Sequence, residues 1–147
     1  MPPSTDATLL AFDFGTRRIG VALGTTRLGS ARPLTTIDTE RNDARFAAID
    51  ALVAEWKPER LVVGLPLHAD GTPHDMTARA RRFARQLAAR YRLPVAEVDE
   101  RHTSELATSA LRVQGRGGRD DRAMRDAVAA QIILQAYLDT PHDDRPA

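Results

Sequence analysis

Two acidic residues of this chain occupy positions that could support chemistry. One lies where burying an ionised carboxylate is costly, and the other lies at the end of a predicted strand. Asp13 lies inside an apolar run, residues 9–14, which has the pattern of a buried strand. Burying an ionised carboxylate there costs several kcal/mol unless a cation, a metal ion or a set of backbone N–H groups compensates its charge. Glu100 ends a second strand-like run, and strand ends of this kind line the crevice where open α/β sheets bind ligands.

A third acid, Asp126, is placed by helical spacing. It precedes Ala129 by three residues and Ile133 by seven, in a segment with the pattern of an amphipathic helix. We therefore expect its side chain to face the sheet and not water. Inward-facing acids on elements far apart in sequence are what a divalent-metal site needs, and carboxylate oxygens select magnesium or manganese.

Each acid also has an ordinary structural interpretation. The N–H groups of its own hairpin could satisfy Asp13, and Arg101 could pair with Glu100. Asp126 lies near the start of a predicted helix, where the helix macrodipole stabilises an acid regardless of function. These interpretations are weaker for the three acids together than for any one alone.

The elements that must position these acids follow from the hydropathy pattern. Strands are predicted over residues 8–14, 19–25, 32–38, 61–64 and 94–100. Helices are predicted over residues 43–57, 75–92, 103–113 and 121–139, with a glycine-rich loop over 114–119. Three hairpin-connected strands followed by alternating helices and strands predict an α/β fold, with a mixed five-stranded sheet and helices on both faces.

Length and composition exclude several classes of protein. The chain has 147 residues, which fit one domain, predicted over residues 1–140 and followed by a disordered tail over 141–147. Cysteine is absent, which excludes disulfides, thiolate nucleophiles and thiolate metal sites. No apolar stretch approaches the roughly 20 residues that cross a bilayer, and the first residues lack a signal-peptide pattern. We therefore expect a cytoplasmic protein with no membrane partner.

Four segments carry a resemblance to a known family. They are LLAFDFGTRRIGVA at 9–22, VVGLP at 62–66, DER at 99–101 and DAVAAQIILQ at 126–135. In this order they resemble the YqgF/RuvX family of small bacterial nucleases, described both as pre-16S rRNA nucleases and as Holliday-junction resolvase homologues. The resemblance spans roughly residues 9–138 and implies a ribonuclease H-like fold, in agreement with the predicted order of elements.

The resemblance implies that Asp13, Glu100 and Asp126 are both the catalytic residues and the metal ligands. The implied chemistry is hydrolysis of a phosphodiester bond assisted by two divalent ions, Mg²⁺ or Mn²⁺. Such ions lie about 3.5–4 Å apart, activate a water and stabilise the leaving 3′ oxygen. Related resolvases use a fourth acid, for which the candidates in this chain are Asp99, Asp120 and Asp121.

The net charge of +1 argues against a protein that coats nucleic acid by bulk electrostatics, so the placement of the arginines matters more. The residues expected to hold a phosphate backbone without reading sequence are Thr16, Arg17, Arg18, Arg101, Thr103, Arg116 and Arg119. The chain departs from the family pattern after Asp-Glu-Arg, which leaves a role for Thr103 but not for Ser104. The arginines of the helix over 75–92 fit a solvated face, and no interleaved aromatic residues suggest a base-stacking platform.

The residues leave the substrate open. The resemblance favours structured RNA, in 5′-end maturation of pre-16S rRNA during ribosome biogenesis, with branched DNA as the alternative. A resolvase that cuts two symmetric strands would need a homodimer. A non-catalytic RNA-binding or assembly factor is a third candidate. The Asp-Phe-Gly-Thr segment also opens the phosphate-binding hairpin of actin-like ATPases and sugar kinases, but 147 residues cannot hold their two domains.

Overall fold

The computed structural model of the chain describes residues 7–68, 70–100 and 119–140, and within the last range the side chains from residue 124 onward. The strands are β1 (Thr8–Phe14), β2 (Arg18–Thr25), β3 (Ser30–Asp38), β4 (Arg60–Leu65) and β5 (Val95–Asp99). The helices are α1 (Asn42–Trp56), α2 (Asp75–Tyr91) and α3 (Arg119–Asp139). The helix predicted over 103–113, most of the glycine-rich loop and the tail over 141–147 lie outside the described residues.

The five strands form one mixed sheet in the order β3-β2-β1-β4-β5. β1, β2 and β3 pair antiparallel, whereas β4 joins β1 and β5 joins β4 in parallel. Parallel neighbours need a crossover connection, and α2 supplies it between β4 and β5. The predicted mixed five-stranded α/β sheet is confirmed.

Helices cover both faces of the sheet, and the alternation of side chains along β1 decides which helix each residue contacts. Phe12 packs on the side of α1 and α2, in a core with Ile49 and Phe83. Ala11 packs on the opposite side, in a smaller core with Ile133 of α3. The sheet is therefore the middle layer of three. No helix within the described ranges is long and apolar enough to cross a membrane.

The element boundaries differ from the predicted ones by up to two residues, for reasons that lie in the backbone. Lys57 and Arg92, predicted as the last helical residues, adopt left-handed conformations with φ of 48° and 55° and end α1 and α2. The predicted start of the last helix at Asp121 was wrong, because α3 begins at Arg119. Arg119 was therefore wrongly placed on the glycine-rich loop. Pro33 lies in β3, an edge strand, where a missing N–H is tolerated.

Candidate active site

Asp13 lies near the end of β1, on the sheet face that α3 covers. The antiparallel register pairs it with Gly20 of β2. Burial raises the pKa of Asp13 to about 6, and the nearby charge of Asp126 acts in the same direction, while a hydrogen bond with Glu100 opposes both. The cost that the sequence indicated for this acid is therefore present in the folded protein as a raised pKa.

Glu100 directly follows β5, and its side chain lies across Gly64 of β4. A Cβ atom at Gly64 would stand 2.9 Å from Cγ of Glu100 and 2.5 Å from Cδ1 of Ile133, so glycine leaves the space that Glu100 occupies. Burial, followed by the charge of Asp13, raises the pKa of Glu100 to about 8. Because the two groups are hydrogen-bonded, the pair holds one proton near neutral pH, with Glu100 donating to the Asp13 carboxylate.

Asp126 reaches the site because α3 lies directly on Gly20. A Cβ atom at Gly20 would stand 1.8 Å from the carbonyl oxygen of Asp126, so the helix backbone rests on the backbone of β2. The Asp126 carboxylate accepts a hydrogen bond from Nε of Arg18 at 2.5 Å, and both side chains are partly buried. Asp126 also raises the pKa of Asp13 by its charge. The structure therefore brings all three predicted acids to one place.

The apolar stripe from which we placed Asp126 was partly wrong, although the side chain does face the sheet. Ala129 is only partly buried. The buried positions of α3 in phase with Asp126 are Ala130, Ile133 and Tyr137, at four, seven and eleven residues beyond it. These three positions follow the spacing of one helical face, and Asp126 extends that face toward the end of β1.

The donor chemistry of this site fits a divalent cation. Three carboxyl groups from β1, the end of β5 and α3 supply hard oxygen ligands. Within residues 7–68, 70–100 and the described side chains of α3, no group of three His, Asp or Glu residues is already spaced for a metal ion. A proton joins Asp13 to Glu100 and Arg18 holds Asp126, so a cation would replace that proton and compete with that guanidinium.

The raised pKa values predict that the metal-free protein loses stability as the pH rises through about 6 and then about 8. Both carboxyl groups bind their proton more tightly in the folded chain than in the unfolded chain, where the pKa values are 3.8 and 4.5. Their stabilisation is therefore full at low pH and lost as the folded-state values are passed. Thermal unfolding in the presence of a chelator should show a falling midpoint. In the Glu100→Gln variant, the midpoint should fall much less as the pH rises.

The matched control for that experiment is Glu97→Gln. Glu97 is an exposed acid of β5, three residues before Glu100. The unfolding midpoint of the Glu97→Gln variant should depend on pH as that of the wild type does. An equally steep fall in the Glu100→Gln variant would show that the carboxyl pair does not cause it.

The predicted phosphate-binding residues divide into those the structure places and those it does not. Thr16 and Arg17 are exposed on the turn between β1 and β2. Arg18 is hydrogen-bonded to Asp126, and the phosphate contacts of all three residues stay predictions. Outside the described side chains lie Arg101, Thr103, Arg116 and Arg119. Of the candidates for a fourth acid, Asp99 is near enough to Glu100 to raise its pKa by charge.

Sequence reasoning missed Arg45, a buried arginine of α1. Its Nε donates to the carbonyl oxygen of Thr39 at 2.6 Å, and its Nη2 donates to those of Gly15 at 2.8 Å and Thr16 at 2.7 Å. The guanidinium also lies 5.5 Å from the ring of Phe14. One rigid cation thereby fixes the turn that follows Asp13. Its spacing of four residues before the buried Ile49 was the available signal, because that spacing puts Arg45 on the inward face of α1.

We expect Arg45→Met to lower the free energy of unfolding by about 3 kcal/mol, because three carbonyl oxygens lose a charged donor in a site with little water. Arg45→Lys should recover only part of this loss, since an ammonium group cannot reproduce the planar fork of a guanidinium. Urea unfolding measures both. The control is Arg41→Met, which breaks an exposed pair with Asp43 and should leave the free energy of unfolding nearly unchanged. Equal losses in Arg45→Met and Arg41→Met would contradict this role for Arg45.

This chain is similar to known proteins over most of its length. The chain matches the family model "RuvX: Holliday junction resolvase" over residues 7–140. A relative from Dechloromonas aromatica is 59% identical over 135 residues, which cover 92% of each chain. A relative from Nitrosomonas europaea is 52% identical over 145 residues, covering 97% of this chain and 98% of the relative. Both relatives are named "Putative pre-16S rRNA nuclease".

Among solved structures, RuvC from Thermus thermophilus in complex with a Holliday junction substrate is similar, with a TM-score of 0.55. The alignment covers 89% of this chain and 94% of RuvC at 17% sequence identity. A likeness at this level of identity concerns the fold alone. It confirms the ribonuclease H-like architecture.

Proposed function

This chain belongs to the RuvX family and is a nuclease that hydrolyses phosphodiester bonds; on that premise we propose that it uses divalent metal ions held by Asp13, Glu100 and Asp126. Its proposed role is 5′-end maturation of pre-16S rRNA in the cytoplasm. The observation that supports the metal site is the placement of three carboxyl groups from β1, the end of β5 and α3 beside one another. A divalent cation bound there would offset the repulsion between these neighbouring carboxylates. The name shared by the relatives supports the choice of RNA.

The protein's own groups would act as follows. When bound, divalent ions, Mg²⁺ or Mn²⁺, would activate a water and stabilise the leaving 3′ oxygen. Glu100 would release to the solvent the proton that it donates to Asp13, so that both side chains become anionic ligands. Arg18 lies beside Asp126, and its guanidinium could contact a phosphate group once Asp126 turns toward the cation. Thr16 and Arg17, on the exposed turn next to Asp13, would hold the nucleic-acid backbone without reading its sequence.

Branched DNA is the second candidate substrate, because the matching family model is described as a Holliday junction resolvase. A junction has two symmetry-related strands to cut, so this function would need two active sites in a homodimer with a two-fold axis. The solution mass is therefore a direct test of the alternative. A strict monomer would count against junction cleavage.

The test of the proposed function compares two substrates under one set of conditions. The full-length chain is incubated with Mg²⁺ or Mn²⁺ and either a pre-16S rRNA fragment that spans the mature 5′ end or a four-way DNA junction. We expect cleavage of the RNA near its mature end and none after chelation of the metal. Cleavage of the junction alone would assign the alternative function. Cleavage that persists in the presence of a chelator would refute the metal-dependent mechanism.

A further inference from the structure

The face of the sheet opposite to the candidate active site carries a groove between α1 and α2. A cavity of about 290 Å³ is lined mainly by six side chains that we name the α1–α2 groove: Phe14, Arg45, Phe46, Arg79, Arg82 and Phe83. A second cavity of about 400 Å³ shares Phe46 with the first and continues along α2 to Arg90. The two cavities are adjacent, because they share lining residues, and each has room for more than a single ion.

The α1–α2 groove is positively charged. Arg79 and Arg82 lie one turn apart on α2, both are exposed, and neither has an ion pair with any residue that the structure describes. Arg45 is 4% exposed, and its guanidinium donates to backbone carbonyl oxygens. The residues that line the 290 Å³ cavity include no acid. The exposed guanidinium groups of Arg79 and Arg82 have no ion-pair partner among the described residues and favour an anionic ligand, since the fork of such a group matches a phosphate. Arg45 adds positive charge beneath them, while its own donors are bound to backbone carbonyls.

The floor of the α1–α2 groove is aromatic. The ring of Phe83 lies 4.9 Å from that of Phe14 and 6.1 Å from that of Phe46, measured between centroids. Phe83 is buried, whereas Phe14 and Phe46 remain partly exposed toward the cavity. A cationic groove with exposed aromatic rings is the arrangement by which proteins hold single-stranded nucleic acid, because every base can stack on a ring.

The groove meets the candidate active site at the turn between β1 and β2. Asp13 and Phe14 are consecutive in β1, so their side chains point to opposite faces of the same strand end. Nη2 of Arg45 binds the carbonyl oxygens of Gly15 and Thr16, which form the turn between the two sites. A nucleic-acid strand that crosses this turn could therefore occupy the groove and the active site together.

We propose that the α1–α2 groove binds an unpaired, single-stranded segment of the nucleic-acid substrate beside the bond that is cut. Phosphate groups contact Arg79 and Arg82, and a base stacks on Phe46. This inference rests on the proposed function. It narrows the expected substrate to nucleic acid that contains a single-stranded segment. Arg79 and Arg82 then form a binding surface, in contrast to the solvated face that the sequence predicted for the arginines of this helix.

The test measures binding in metal-free buffer, where the proposed cleavage does not interfere. Fluorescence anisotropy with a short, labelled single-stranded RNA compares the wild type with the double variant Arg79→Ala/Arg82→Ala. We expect affinity to fall at least about tenfold and the slope of log K against log salt to shrink by about 1.4, from two lost phosphate contacts on a single strand. The control is Arg81→Ala/Arg85→Ala, which removes the same charge from exposed positions of α2 outside the groove. It should change affinity less than about threefold.

One further variant and a separate cleavage assay distinguish the possible results. Phe46→Leu should weaken RNA binding about fivefold and leave the binding of inorganic polyphosphate unchanged, because only the RNA has bases that stack. Equal losses in the two double variants, or no loss in Arg79→Ala/Arg82→Ala, would overturn the groove proposal. Cleavage is scored separately with metal present. A chain that binds through the groove but cuts nothing would refute the proposed function alone, and a cutting chain with unaffected groove variants would refute the groove alone.

Discussion

Replacing Asp13 by asparagine should abolish cleavage and leave the fold intact. The amide keeps the shape of the carboxyl group but has no charge, so it is a poor ligand for a hard divalent cation. Metal activation of water and leaving group is worth several kcal/mol in the transition state, so we expect the cleavage rate to fall at least about 10³-fold. Asp126→Asn and Glu100→Gln should act in the same direction.

The stability of the Asp13→Asn variant supplies a readout independent of activity. Desolvation raises the pKa of Glu100, and so does the charge of Asp13. Removing that charge should bring the pKa of Glu100 down and make the metal-free protein more stable near neutral pH. Divalent ions should raise the unfolding temperature of the wild type, because they bind the folded chain, and should have little effect on the variant. Thermal unfolding with and without Mg²⁺ measures both effects.

Glu97→Gln is the control for this series as well, because it removes a carboxylate from the exposed side of β5. It should cleave and respond to metal as the wild type does. Retained cleavage in the Asp13→Asn variant, measured beside an active Glu97→Gln protein, would show that Asp13 is not a metal ligand of the reaction.

Much of this site could be predicted because its signals are local. Strand alternation places Asp13 on an inner face, and helical spacing does the same for Asp126. Neither signal extends beyond a few residues, yet each fixes the direction of one side chain. The order of strands and helices then indicates the sheet type, because antiparallel hairpins need short turns and parallel pairs need crossovers. Fold class and candidate acids therefore followed from the sequence.

The contacts within the site could not be predicted, because they join residues far apart in the chain. Arg18 and Asp126 are separated by 108 positions, and Arg45 and Gly15 by 30. The same reason hid the α1–α2 groove, since its aromatic rings come from β1, α1 and α2. A pattern over a few residues gives the direction of a side chain but not its partner.

Gly20 and Gly64 are the exceptions, because a long-range contact left a local trace. A glycine inside an apolar strand weakens that strand and often marks a close approach of backbone or ligand. Here Gly20 lies against α3 and Gly64 lies under Glu100. Both glycines border the carboxyl site, so their positions indicate where a helix or a side chain lies close against the sheet.

Gly20→Ala should therefore be among the most destabilising single substitutions in this chain. The new Cβ atom would stand 1.8 Å from the carbonyl oxygen of Asp126 and 3.1 Å from the backbone nitrogen of Ala127, and neither atom can move without its helix. α3 would have to shift away from β2, which opens the small core around Ile133 and displaces the Asp126 carboxylate. We expect the free energy of unfolding to fall by about 3 kcal/mol or more, the upper range for overpacked cores. Cleavage should be lost even where the variant remains folded.

Gly24→Ala is the matched control, a glycine of the same strand under the same helix. Its new Cβ atom would stand 3.0 Å from Cδ2 of Leu134 and 3.0 Å from the carbonyl oxygen of Ser30, contacts that a side-chain rotation and a small backbone adjustment can relieve. We expect a loss of about 1 kcal/mol and nearly normal cleavage. Urea unfolding measures the stability of the two variants, and an RNA cleavage assay measures their activity. If Gly20→Ala were as stable and as active as Gly24→Ala, α3 could not rest on β2 at Gly20, and Asp126 would have to reach the site by another route.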